Sequence, residues 1–118
     1  MAEVIVRGTV ANGLGVHHTD MRQWAGLPFV AYPGTLNVDV GRDTARMLLA
    51  RMPHVLHVFR REWPYVLGTL NGVEVAVTES RAKPWQIEVL AAVRLRDLPL
   101  RNGDVVTIVL RDARKVEA

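Results

Sequence analysis

Thr35 and Asn37 place two neutral oxygen-bearing side chains two positions apart, directly after the turn Pro33-Gly34. In a β-strand, residues two apart face the same side, so the hydroxyl and the amide form a pair of oxygen ligands. Such a pair suits a hydrated Mg2+, which keeps several waters, takes few protein ligands and leaves its charge to be balanced mainly by phosphates. That is nucleotide chemistry without a P-loop. A plainer account fits the same residues: a glycine-led turn feeding a strand, with Thr35 and Asn37 bonded to nearby backbone.

Other residues extend either account. Gly8, Gly13 and Gly15 surround Val10-Ala11-Asn12-Gly13-Leu14-Gly15, where backbone N–H groups can approach phosphate oxygens. The stretch is neither a Walker A motif nor a dinucleotide fingerprint, because no Gly-Lys-Ser/Thr and no long helix follow. His17 and His18 come next and can donate to phosphate, or can be solvated. Glu88 interrupts the apolar run around Val89 and shares the face of Gln86 and Leu90, so it either meets solvent or serves a site. Arg94 and Arg96 alternate off the end of that run, where guanidinium forks grip phosphate or simply face water. His54 and His57 are three apart, which points them to opposite faces of a strand and argues against zinc. Trp24, Trp63 and Trp85 suit stacking on a planar ligand or packing in a core.

The elements that must position these groups are mostly strands. Apolar or alternating segments run from Val4 to Val10, Leu36 to Val40, Val55 to Phe59, Tyr65 to Leu70, Val73 to Thr78, Ile87 to Ala92 and Val105 to Leu110. Asn71-Gly72 joins two of them as a hairpin turn, and Asn102-Gly103-Asp104 marks another turn. Asp43 or Thr44 caps a helix from Ala45 to Met52 that Pro53 ends, and Asp20 caps a shorter turn through Met21, Gln23 and Trp24. Six or seven short strands with so little helix predict a closed barrel, which also removes exposed edges.

Composition sets the outer bounds. The 118 residues, 49% of them hydrophobic, fill one core and predict a single domain over 1–118. Cysteine is absent, which removes disulfides, thiolate zinc sites and cysteine nucleophiles. No apolar run of membrane-spanning length and no signal pattern is seen, so the expectation is a cytoplasmic monomer with no membrane partner. A net charge of +3 permits phosphate-bearing partners and is too small for bulk nucleic-acid binding.

Taken in order, Gly8-x-Val10-x-x-Gly13-Leu14-Gly15, Tyr32-Pro33-Gly34-Thr35-Leu36-Asn37-Val38, Ile87-Glu88-Val89-Leu90-Ala91-Ala92-Val93-Arg94-Leu95-Arg96 and Leu100-Arg101-Asn102-Gly103-Asp104-Val105-Val106 resemble the archaeal CTP-dependent riboflavin kinases. The likeness runs from about residue 5 to 110. It implies a six-stranded cradle-loop barrel, CTP as phosphate donor, Mg2+, and riboflavin converted to FMN. By position it implies that Leu14, Gly15, Val16, His17, His18 and Thr19 form the nucleotide loop and that Val93, Arg94, Leu95 and Arg96 close over the cytidine nucleotide. It also implies Thr35 and Asn37 as Mg2+ ligands and Ser80 and Glu88 as flavin contacts. Glu88 is then the candidate to orient and deprotonate the riboflavin 5'-hydroxyl, with Asp39, on the face of Thr35 and Asn37, as the alternative.

One departure is specific. The family loop reads Gly-x-Gly-x-Gly and then a basic or polar residue, whereas Gly15 is followed here by Val16-His17-His18. It motivates a rival reading, a flavin- or nucleotide-binding relative that transfers no phosphate. A second rival, a barrel-type nucleic-acid-binding regulator, draws on Arg111, Arg114 and Lys115 but lacks a recognition helix or a stacking stripe.

Overall fold

The computed structural model describes residues 3–11, 26–30, 35–58, 61–81, 83–93, 95 and 100–114. Seven strands and one helix follow in the order β1 (Val4–Val10), β2 (Leu36–Asp39), α1 (Arg42–Ala50), β3 (His54–Val58), β4 (Arg61–Leu70), β5 (Val73–Glu79), β6 (Gln86–Ala91) and β7 (Val105–Leu110). All pairings are antiparallel, in the order β3-β4-β5-β6-β2-β1-β7, and a further pairing of β4 with β7 closes six of the strands into a barrel. β3 is the extra strand and, among the described residues, pairs with β4 alone.

Alternation builds the barrel. Val38, Val66, Val75, Val77, Val89, Val106 and Ile108 are completely buried and form its interior together with Leu70, Ile87 and Leu110. Ala45 and Leu48 of α1 belong to the same cluster, with Met47 packed against it, so the helix lays one apolar stripe against the core. A second apolar group, Leu27, Leu56, Tyr65, Ala76 and Leu90, lies apart from that core on the outer side of the sheet.

Closure depends on a glycine. A Cβ on Gly68 would stand 2.2 Å from the Val109 carbonyl oxygen, because Gly68 pairs with Leu110 where β7 swings from β1 onto β4. The hairpin of β4 and β5 turns at Asn71 (φ 47°) and Gly72 (φ 85°), a pair of positive φ angles that fits the strand twist.

The predicted strands are all present, with ends displaced by one residue at most, except that β4 starts at Arg61 rather than Tyr65. Its longer run follows from pairing with β3, which holds Glu62 to Pro64 in the sheet. The helix differs at both ends. It spans Arg42–Ala50, the residue before it is Gly41 at φ 84° and ψ 152°, and neither Asp43 nor Thr44 caps it. The Trp85 carbonyl accepts from the N–H groups of both Val40 and Gly41, which fixes the entry angle and calls for a backbone conformation open to glycine. α1 is the single helix among the described residues, and the short turn expected at Asp20 to Trp24 lies outside them. No helix among the described residues is long and apolar enough to cross a membrane.

Candidate active site

Strand register gathers the polar groups. Asn37 of β2 lies opposite Glu88 of β6, Glu88 opposite Thr78 of β5, Thr78 opposite Tyr65 of β4, and Tyr65 opposite His54 of β3. These five residues form one transverse row on the face turned away from the barrel core, with direct neighbours about 4.5–5.5 Å apart at Cβ. Thr78 is fully buried in the middle of the row and its hydroxyl donates to the Pro64 carbonyl at 2.7 Å, so it braces the row.

At the β2 end the groups converge. The Thr35 hydroxyl donates to Glu88 Oε1 at 2.9 Å, and Asn37, 9% exposed, sits across from the same glutamate. With its hydrogen committed to the carboxylate, the Thr35 oxygen keeps its lone pairs for another partner. Two neutral oxygens and a half-buried carboxylate are a donor set that fits Mg2+, which takes oxygen ligands and retains water. The Asn37 carbonyl accepts from Ala11 N–H at 2.9 Å, Gly103 N–H donates to the Val10 carbonyl, and Val10 N–H donates to that of Asp104. The chain thus leaves β1 directly beside this site. Asp39, the alternative to Glu88, turns its Oδ1 to accept from Gly41 N–H at 3.0 Å.

No family model matches the chain. A riboflavin kinase of Methanosarcina barkeri is 31% identical over an alignment of 98 positions that covers 72% of this chain and 44% of that relative. Over that stretch the chain is similar to a riboflavin kinase. It spans less than half the length of that relative.

Of the residues that the resemblance to riboflavin kinases singles out, Thr35, Asn37 and Glu88 meet. Ser80 follows the end of β5 and lines a groove of about 460 Å3 between α1 and the β5–β6 connection, together with Arg42, Arg46, Glu79, Arg81 and Gln86. Val93, half exposed, follows β6, and Leu95 is buried in the core, where it anchors that segment. Leu14, Gly15, Val16, His17, His18, Thr19, Arg94 and Arg96 lie outside the described residues, as do Trp24 and the turn before Thr35. Trp63 carries the Arg81 guanidinium 4.2 Å above its ring. Trp85 is 39% exposed.

The other end of the row holds residues that the sequence did not single out together. Asp112, just after β7, accepts from Leu67 N–H at 2.8 Å with Oδ1 and meets His54 Nε2 at 2.5 Å with Oδ2. The His54 ring stacks on Tyr65, centroids 4.8 Å apart. Burial, and then the Asp112 carboxylate, push the Tyr65 phenol above the ordinary tyrosine range. Asp112 carries no local motif, and only the β4–β7 closure brings it to His54. Expected to stay apart, His54 and His57 do so: His57 faces Glu62 at 3.9 Å on an exposed surface. Among the described residues no three His, Cys, Asp or Glu form a metal-binding group.

Proposed function

We propose that the chain is a CTP-dependent riboflavin kinase that transfers the γ-phosphoryl group of CTP to the riboflavin 5'-hydroxyl. The observation that carries this reading is the meeting of Thr35, Asn37 and Glu88, two neutral oxygen-bearing side chains and a carboxylate, at a strand pairing beside the end of β1. The likeness to a riboflavin kinase supports it.

Glu88 accepts the proton of the 5'-hydroxyl as its oxygen bonds to the γ-phosphorus. The bond from that phosphorus to the β-bridging oxygen breaks, and CDP and FMN are the products. The Thr35 hydroxyl, by donating to the carboxylate, holds it in place as acceptor. Thr35 and Asn37 would hold Mg2+, which would supply neutralisation of donor phosphate charge. Catalysis is then mostly positioning and charge stabilisation, as phosphoryl transfer requires. The loop from Leu14 to Thr19 and the segment Val93 to Arg96 take the nucleotide, and Ser80 contacts the flavin.

Purified protein incubated with riboflavin, Mg2+ and each of the four ribonucleoside triphosphates tests the proposal by FMN formation. FMN with CTP in clear excess over the other donors is the expected result. FMN with ATP alone removes the CTP assignment. No FMN with any donor, but measurable flavin or nucleotide binding, favours the binding relative that the Val16-His17-His18 departure suggests.

A further inference from the structure

The groove between α1 and the β5–β6 connection plays no part in the phosphoryl step, yet its lining is selective. Gln86 is 6% exposed, and its Oε1 is shut off from water with no hydrogen-bond partner among the described residues. Native structures retain few buried acceptors without a donor, since each is costly. The last torsion of a glutamine side chain is broad and two-fold, so a rotation presents this oxygen to the groove that Gln86 lines.

Three guanidinium groups stand around it. Arg81 is committed: its Nε donates to Glu79 Oε1 at 3.1 Å, Nη2 donates to the Glu62 carbonyl, and the group covers Trp63. Arg42 and Arg46 have no ion pair among the described residues, and both are exposed on α1. Four apart, two like charges face each other at a cost. The groove therefore offers an acceptor in need of a donor, flanked by donors in need of acceptors. A phosphate group answers the arginines but leaves Oε1 without a hydrogen. A planar imide, with one N–H between two carbonyl oxygens, answers both.

We infer that Gln86, with Arg42 and Arg46, recognises the imide edge of the flavin ring. Gln86 Oε1 accepts from flavin N3–H, and the guanidinium groups donate to the carbonyl oxygens on either side. The inference rests on the reading of riboflavin as phosphate acceptor. Gln86 and Glu88 share a face of β6, about 7 Å apart along the strand. A flavin held by its imide in the groove sends its ribityl chain along β6, and its 5'-hydroxyl arrives at Glu88.

The test compares riboflavin with N3-methylriboflavin, which lacks the imide hydrogen. Binding is followed by quenching of flavin fluorescence in the wild type, Gln86→Leu and the double variant Arg42→Ala/Arg46→Ala, beside FMN formation by the wild type. The wild type is expected to bind the methylated flavin about tenfold or more weakly. Gln86→Leu should bind both flavins alike, at the weaker level. The arginine double variant alters exposed helix positions, keeps the fold and weakens riboflavin binding. Equal affinity of the wild type for the two flavins overturns the inference, as does a Gln86→Leu variant that still discriminates. Should Gln86→Leu not fold, unchanged riboflavin affinity in the arginine variant overturns it equally. FMN formation without discrimination leaves the kinase reading standing and removes this one. Absence of both flavin binding and FMN formation removes both.

Discussion

Replacing Glu88 by glutamine preserves shape and an acceptor oxygen while removing the charge. The Thr35 hydroxyl, 2.9 Å away, can still donate to the amide oxygen. A hydrogen bond to a charged group contributes about 1.5–3 kcal/mol against about 0.5–1.5 for a neutral one, so the expected stability loss is about 1 kcal/mol. At about 2.1 cal/mol/K of unfolding entropy per residue, a chain of 118 residues then loses about 4 °C in Tm. Removal of a general base costs about 100-fold or more in turnover, or at least about 2.7 kcal/mol of transition-state stabilisation. The assay is FMN formation at saturating riboflavin and CTP, with thermal unfolding on the same samples. Thr35→Val, alone and combined with Glu88→Gln, completes a cycle. Because the proposed mechanism has Thr35 act through the carboxylate as well as on Mg2+, the double variant should lose far less than the product of the single losses. A wild-type turnover for Glu88→Gln refutes the reasoning. Recovery of full rate at saturating riboflavin does so too, since Glu88 is then a substrate acceptor with no proton to move.

Asn37→Ala should slow FMN formation at limiting Mg2+ by at least about tenfold, the loss seen even for outer-shell partners of metals, and a near-normal rate there overturns the ligand assignment. Gly68→Ala forces a methyl group into the Val109 carbonyl. It should cost about 3 kcal/mol, the upper end for overpacking, and lower Tm by about 12 °C; an unchanged melting curve contradicts the closure geometry. For Tyr65 the folded pKa is raised, so the native state holds its proton more firmly than the unfolded chain does. The resulting stability is complete below the unfolded value and is lost as pH rises through the folded one. Above pH 10, therefore, wild-type stability should fall more steeply than that of Tyr65→Phe, which thermal unfolding across alkaline buffers measures.

The barrel was legible because its signals are local. Asn71-Gly72 names its own turn, and Val73, Val75 and Val77 spell a strand whose pairing partner is the segment just before it. Helix entry was not legible, since the choice between Asp43, Thr44 and Gly41 rests on the Trp85 carbonyl, far along the chain. The site divides in the same way. Thr35 and Asn37 share a face by simple alternation within one strand, whereas the bond from Thr35 to Glu88 needs the register of β2 on β6. Gln86 showed only as a neighbour of Glu88. What distinguishes it, an acceptor buried without a partner beside two uncommitted arginines, arises when α1 packs against the end of β6. His54 and Asp112 could not be joined in advance, as they meet only through the pairing of β4 with β7.

That last pairing has a consequence for how the molecule folds. β7 lies between β1 and β4, so Val4 must find Leu110 and Gly68 must find the same residue before the barrel is complete. Contacts between distant parts of a chain are slow to form because loop closure comes before any stabilisation. β4, β5 and β6 form a meander of neighbours and can assemble early. During synthesis, Asn37 and Glu88 emerge well before residues 105–110. Until those residues arrive, β1 and β4 present two open edges, the interval in which the nascent chain is most exposed to pairing with another copy.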